Sequence, residues 1–208
     1  MVSHVLQKEL FLHFIWLFLL GSILGYIIEF LEHLIKKGEF LSKPGLWFGP
    51  LKPIYGIGLT LITLTLFKIR NLNIFFLFLI SMIIGTIFEY LCALFQEKCF
   101  STYTWSYHGQ KIAWPYSIAW GILSILWIKL LFPIYLRFWS FLNNDLGFKI
   151  SIIITIFFIF DIILTSLIIK RYANRKKKKK ANSKIDKLLD KHFPNPKVEK
   201  KFPNLVIK

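Results

Sequence analysis

The stretch LNIFFLFLISMIIGTIFEYLCALF, residues 72–95, decides the fold of this chain. It contains one acid, Glu89, and no basic residue. A helix that crosses the hydrocarbon core of a bilayer needs roughly 20 mostly apolar residues, which this stretch supplies. An isolated strand would leave its backbone groups unpaired in lipid, so the stretch is predicted to be a transmembrane helix.

Four further apolar segments flank it, at about residues 10–35, 53–68, 115–136 and 149–170. We therefore expect an all-α, polytopic membrane bundle of about five transmembrane helices within residues 1–170. Residues 171–208 are predicted to form a basic cytoplasmic tail. Four apolar residues of that tail keep the spacing of a short amphipathic helix at a surface: Ile185, Leu188, Leu189 and Phe193.

Composition supports the membrane assignment. The chain is 55% hydrophobic and only 18% charged, whereas a soluble domain carries about 25% charged residues. The net charge of +16 is concentrated in residues 170–208, which hold 15 Lys/Arg against 3 Asp/Glu, while residues 1–169 hold 12 against 8. The body is thus a nearly neutral hydrophobic mass, which excludes a soluble enzyme domain, a disordered chain and a disulfide scaffold.

The placement of basic residues predicts the orientation. The loop after the first segment, the loop after the third segment and the tail are all rich in lysine. Basic loops remain on the cytoplasmic side of a membrane. With five spans this places the N-terminus outside and the C-terminus in the cytoplasm.

The first and third segments resemble each other at an offset of 60 residues. Apolar and polar positions both coincide, notably Gly25 with Gly85 and Glu29 with Glu89. The two segments run in the same direction in a five-span bundle, so the pattern indicates a parallel duplication of a helix-loop-helix unit. Chance similarity between two apolar segments is the alternative.

Small residues one helical turn apart precede both acids and allow another helix to approach closely: Gly21 and Gly25 before Glu29, and Ser81 and Gly85 before Glu89. Residues at i and i+4 share a helical face, so the acids point toward packed protein. Two interpretations follow. The acids line a substrate path, or they reach interfacial water and pair with Lys36 or Lys111.

Asp161 lies near the middle of the fifth segment, where a short acid cannot reach water. A partner is expected, with Lys129 as the nearest candidate by depth, and a protonated side chain is the alternative. Glu29 and His33 are spaced as a helical metal pair, but no second pair accompanies them. Nothing resembles a catalytic triad or a phosphate-binding loop. We therefore expect no enzymatic activity, no cofactor and no metal.

The two cytoplasmic loops are rich in glycine, proline and aromatic residues, and each enters the next helix through a proline, Pro53 or Pro115. Such segments suit an aromatic belt at the interface or a re-entrant loop packed on the bundle.

The first of these loops reads FGPLKPIYGIG over residues 48–58. It resembles the Gly-Pro-x-x-Pro-Ile-Tyr-Gly-x-Gly signature of bacterial predicted ABC-transporter permeases called type IV. The matching positions are Gly49, Pro50, Pro53, Ile54, Tyr55, Gly56 and Gly58. Trp105-x-Tyr107 and Ser117–Gly121 occur in the family's order. This chain has Ser106 where the family tends to have Asp, and His108 where an Asn is expected.

The resemblance implies a multi-spanning protein of the bacterial inner membrane. It also implies a permease component of unknown substrate whose ATPase is a separate subunit. The expected path residues are Glu29, Tyr55, Glu89, Trp105, Tyr107 and Asp161. Expected partners are the bilayer, anionic lipids at the basic tail, the ATPase, and further subunits in a homo- or hetero-oligomer, whereas nucleic acid is not expected. The alternative is a membrane scaffold or regulatory subunit without a path. A weaker option is an intramembrane enzyme that acts on lipid through carboxylates.

Overall fold

A computed structural model of the chain describes residues 2–38, 45–103 and 110–207. It is 81% helical with almost no strand, which confirms the all-α class. The helices are α1 (Val2–Lys37), α2 (Pro53–Leu66), α3 (Ile74–Phe100), α4 (Trp114–Leu126), α5 (Phe132–Leu142), α6 (Asp145–Lys176), α7 (Lys184–His192) and α8 (Asn195–Lys201). Two short strands, β1 (Thr102–Tyr103) and β2 (Val206–Ile207), pair antiparallel.

Among the described residues, four helices are long and apolar enough to cross a membrane, namely Gln7–Lys36, Ile74–Phe100, Trp114–Leu142 and Asp145–Lys176. The fifth apolar helix, Pro53–Ile69, is shorter and ends in a 3-10 turn over Phe67–Ile69. These helices match the five predicted segments. The four long ones extend beyond the predicted limits because hydropathy marks the depth of the lipid, whereas hydrogen bonding continues a helix into polar surroundings.

The fourth span is continuous but contains a π-helical turn at Trp127–Leu131 between α4 and α5. The N–H of Phe132 bonds to the carbonyl of Trp127 in this wider turn. Pro133 follows and has no N–H to offer to an α-helical bond. The turn buries Trp127 to 2% exposure, and its indole N–H donates to the Thr63 hydroxyl over 2.8 Å. Trp127 therefore ties the fourth span to α2.

Two helical hairpins, α1–α2 and α3–α4, form the body of the bundle. Their packing repeats, because a Cβ on Gly56 would meet Phe18 and a Cβ on Gly121 would meet Phe78. Phe18 and Phe78 are separated by the same 60 residues as the sequence repeat. The shared packing supports the parallel duplication. The main core lies between the hairpins: Leu17, Ile62, Leu66, Leu77, Trp127, Ile128, Phe132 and Tyr135.

The chain after α6 folds back onto the bundle. Residues 183–207, here called the C-terminal cap, form α7, α8 and β2. Leu189, Val198 and Phe202 of the cap pack with Ile168 and Tyr172 of α6. The cap also reaches both long loops, because Trp47 packs against this cluster and β2 pairs with β1 after α3. Both loops and the tail thus meet at one end of the bundle.

Candidate functional site

Close contact between α1 and α2 forms the first half of the site. Any Cβ on Gly25 would overlap the ring of Tyr55, and a Cβ on Gly21 would lie 2.7 Å from the Tyr55 carbonyl oxygen and from Leu59. The two glycines therefore let α2 lie directly against α1. This contact places the Tyr55 side chain one helical turn from Glu29.

The second hairpin repeats this arrangement with Trp120 in place of Tyr55. A Cβ on Gly85 would overlap Trp120, whose indole N–H donates to Glu89 over 3.1 Å. Ser81, the small residue one turn earlier, is fully buried, and its hydroxyl donates to the Leu77 carbonyl. The Tyr55 and Trp120 rings stack with centroids 6.1 Å apart. The two hairpins thus meet through their equivalent aromatic residues.

Glu29 pairs with Lys52, whose ammonium lies 2.5 Å from the carboxylate. The Lys52 side chain is 8% exposed and that of Glu29 is 19% exposed. The N–H of Lys52 also bonds to the Ser22 carbonyl, which fixes the entry to α2 against α1. An ion pair this enclosed is weakly screened by salt and depends on both partners.

Glu29 thus pairs with a lysine, as the second interpretation has it, but with Lys52 rather than with Lys36 or Lys111. Lys36 instead binds Glu32, its neighbour on the same helix, over 2.6 Å, and Lys111 binds Glu97 over 2.5 Å. Depth and sequence proximity suggested Lys36 and Lys111, but the fold of the first loop brings Lys52 to Glu29.

Tyr55 lies at the centre of these groups. Its hydroxyl is within electrostatic reach of the carboxylates of Glu29, Glu32 and Glu89. We call Glu29, Lys52, Tyr55, Glu89 and Trp120 the inter-hairpin cluster. The cluster places acidic, basic and hydroxyl groups between mostly apolar helices, so it can form hydrogen bonds to a solute or to water.

Asp161 does not belong to the inter-hairpin cluster and binds the first loop instead. Its carboxylate is 1% exposed and accepts the backbone N–H of Phe48 over 3.2 Å and that of Gly49 over 3.1 Å. The prediction that Lys129 is the partner of Asp161 is wrong, because the Lys129 ammonium donates to the carbonyl of Arg70. Backbone N–H groups satisfy the acid in place of a charged side chain.

Thr165 extends this attachment one turn along α6. Its hydroxyl donates to Asp161 over 3.2 Å and accepts the N–H of Trp47 over 2.9 Å. Asp161 lies ten residues before Arg171, or about 15 Å along the helix axis. Within residues 45–52, the described part of the loop, Leu46 and Gly49 are buried whereas Phe48 is 57% exposed. The loop thus lies with one side against α6, which favours the re-entrant interpretation over the aromatic belt.

The remaining loop positions flank these anchors. Pro53 begins α2, Ile54 is half-buried and Pro50 is exposed, while a Cβ on Gly58 would meet Trp120 at 2.7 Å. Trp105 and Tyr107 lie outside the described residues. Within the described residues, no group of three or more His, Cys, Asp or Glu side chains could hold a metal ion.

Sequence reasoning missed the roles of Lys52 and Trp120. From the sequence, Lys52 was interpreted only as a basic loop residue that sets the orientation, and Trp120 only as part of the Ser117–Gly121 motif. The equivalence of Gly85 to Gly25 could have drawn attention to an aromatic partner on the following helix.

A family model described as "Putative ABC-transporter type IV" matches residues 16–166. The match covers both hairpins, the anchored loop and Asp161. It confirms the resemblance carried by the Gly-Pro-x-x-Pro-Ile-Tyr-Gly-x-Gly loop. Neither a curated protein nor a solved structure matches the chain significantly.

Proposed function

Because the chain belongs to the putative ABC-transporter type IV family, we propose that it is the membrane-spanning permease component of an ABC-type transporter. ATP hydrolysis is supplied by a separate subunit, since the sequence contains no phosphate-binding glycine loop of its own. The end of the bundle that carries both loops and the C-terminal cap faces the cytoplasm, in accordance with its excess of Lys and Arg.

The inter-hairpin cluster carries this proposal. A carboxylate within a membrane helix is expensive, and such acids occur mainly where they face a solute or ion path. Here two acids, Glu29 and Glu89, occupy equivalent positions on duplicated hairpins and converge on Tyr55. Substrate sites between structural repeats are common in membrane transporters.

The geometry suggests which parts move during transport. The first loop is fixed to α6 through Asp161 and Thr165, whereas the hairpins meet across the stacked rings of Tyr55 and Trp120. Transport proceeds by separation of the hairpins at this stack. The Glu29–Lys52 ion pair lies within the first hairpin, and a solute that enters between the hairpins replaces Lys52 as the partner of Glu29.

Affinity isolation from native membranes tests the permease assignment. The tagged chain is crosslinked in intact membranes, solubilised in mild detergent and isolated, and its neighbours are identified. We expect an ATPase subunit in a fixed ratio to the chain, and the same products report any homo- or hetero-oligomer. Consistent isolation without an ATPase would contradict the assignment. Membranes carrying the untagged chain are the matched control.

A scaffold or regulatory role without a path is the second candidate. It is favoured by the observation that the C-terminal cap contacts both loops at once, through Trp47 and through β1. In that case the C-terminal cap and the two loops form the surface that binds a partner protein. The isolation would then recover a different partner in a fixed ratio, and its binding would depend on the cap.

A further inference from the structure

The position of α7 relative to α6 is fixed by an ionic network. Asp190 of α7 accepts two hydrogen bonds from Arg171, of 2.9 Å and 2.7 Å, and one of 2.6 Å from Arg175. Leu189 adds an apolar contact to Ile168 and Tyr172. The apolar run of α6 ends at Ile169, so α7 lies beside α6 at the depth where that helix leaves the hydrocarbon core.

A second face of α7 has no partner within the described residues. Lys184, Leu188 and Lys191 are spaced at i, i+4 and i+7, so they share one side of the helix. Leu188 is 58% exposed and the neighbouring Ile185 is 57% exposed, and Lys187 is exposed as well. Exposed apolar residues among lysines are typical of a helix that lies in a membrane interface.

The acids of residues 170–208 are all bound within the tail. Asp186 accepts the N–H groups of Asn182 and Ser183 at the start of α7. Asp190 is bound to the two arginines of α6. Glu199 binds Lys176 over 2.6 Å. Each acid is therefore bound by a group other than a lysine of α7, and the exposed lysines of α7 have no acidic partner among the described residues.

We propose that this face of α7, together with the adjacent Lys177–Lys180, binds the phosphate headgroups of anionic phospholipids in the leaflet on the tail side. Lysine ammonium groups contact the phosphates, and Leu188 enters the acyl boundary. Each lysine near an anionic surface strengthens binding roughly fivefold at low salt. The site goes beyond the proposed transport function and does not depend on it.

Collision accessibility of a nitroxide in the full-length protein tests the site. The label is attached through Ile185→Cys after Cys92 and Cys99, the free thiols of the chain, are replaced by Ser. The protein is reconstituted in phosphatidylcholine nanodiscs with or without phosphatidylglycerol. With phosphatidylglycerol we expect collisions with a polar nickel reagent to fall roughly twofold and collisions with oxygen to rise. Equal accessibility in both nanodiscs would overturn the proposal.

Two variants make the result specific. The triple variant Lys184→Gln, Lys187→Gln and Lys191→Gln should lose the lipid-dependent shift, and an unchanged label mobility in phosphatidylcholine alone verifies that the cap is folded. The matched triple variant Lys8→Gln, Lys68→Gln and Lys149→Gln, at the other end of the bundle, should retain the shift. A shift that survives in the first variant would contradict the proposal.

A control with nucleic acid distinguishes the binding of anionic lipid from a general attraction between the lysines and any polyanion. Short duplex DNA added to phosphatidylcholine nanodiscs should leave the label exposed to the nickel reagent. Protection by DNA equal to that by phosphatidylglycerol would overturn the assignment to lipid.

Discussion

Gly49 donates its backbone N–H to the buried carboxylate of Asp161 over 3.1 Å, although the two residues are 112 positions apart in the sequence. An acid in the middle of a membrane helix is by default a candidate for a transport path. Here it anchors a loop whose backbone would otherwise be unpaired inside the bundle. Asp161 is therefore bound by the first loop, whereas Glu29 and Glu89 bind Lys52 and Trp120.

Replacing Asp161 with Asn should release the loop. An amide has one acceptor oxygen, and its NH2 group would face the N–H donors of Phe48 and Gly49. We expect a loss of about 1–3 kcal/mol in the free energy of unfolding, measured by thermal or denaturant unfolding in detergent, together with faster proteolysis of residues 45–52.

Asp145→Asn is the matched control for this change, because it alters an acid of the same helix whose side chain is 93% exposed. Its effect should stay within about 0.5 kcal/mol. Equal stability of the two variants would show that Asp161 does not hold the loop.

The glycines of the hairpins should not tolerate a methyl group. Gly25→Ala and Gly85→Ala each force a Cβ into an aromatic ring, of Tyr55 or Trp120, and should destabilise the bundle by about 1–3 kcal/mol. Gly49→Ala should be tolerated although it alters the signature loop, because the nearest atom to its Cβ is the Asp161 Oδ2 at 3.7 Å. Unfolding of the three variants side by side gives the comparison, and the reverse ranking would contradict the packing.

Glu29 and Lys52 should be energetically coupled. Glu29→Gln or Lys52→Gln removes one member of an enclosed, hydrogen-bonded ion pair and should cost about 1–3 kcal/mol. The double variant should lose less than the sum of the single losses. A double-mutant cycle on the free energy of unfolding measures the difference, which we expect to reach about 1 kcal/mol. Additive losses would mean that the ion pair contributes nothing.

The C-terminal cap should detach in acid. Hydrogen bonds from Arg171 and Arg175 lower the pKa of Asp190 to about 2, whereas an unfolded Asp titrates near about 4. A lowered pKa in the folded state stabilises the cap fully above pH of about 4, and this stabilisation is lost as the pH falls toward about 2. Hydrogen exchange of the α7 amides, corrected for intrinsic rates, should accelerate over this interval. Asp190→Asn should reduce that acceleration and leave the part due to Asp186 and Glu199, whose pKa values are also lowered by their hydrogen bonds. An acceleration of unchanged size in the variant would contradict the role of Asp190.

Much of the fold could be predicted because lipid imposes a simple rule on sequence. Apolar runs indicated the five helices. The spacing of Gly25 and Glu29, repeated in Gly85 and Glu89, indicated the face of α1 and of α3 on which the second helix of the same hairpin packs. These features depend on one helix at a time, so local periodicity reveals them.

The partners of the acids could not be predicted in the same way. Depth along a helix suggested Lys129 for Asp161, but depth does not determine which side of the bundle a residue faces. The true partners of Asp161 are backbone groups, whose positions depend on how the loop folds. The packing of the C-terminal cap on the bundle could not be predicted either. Its core combines residues that are far apart in the sequence, namely Ile168 of α6, Val198 of α8 and Trp47 of the first loop.

ATP-driven flux across vesicles that contain the chain and its co-isolated ATPase tests the permease assignment most directly. A panel of candidate solutes is screened with the wild-type chain, and any detected flux is measured again in Glu29→Gln and Glu89→Gln. We expect each variant to lower that flux about tenfold or more, while Glu9→Gln, at the opposite end of α1 from Glu29, leaves it unchanged. Unchanged flux in both cluster variants, or no ATP-dependent flux with any solute, would show that the bundle forms no path through these acids.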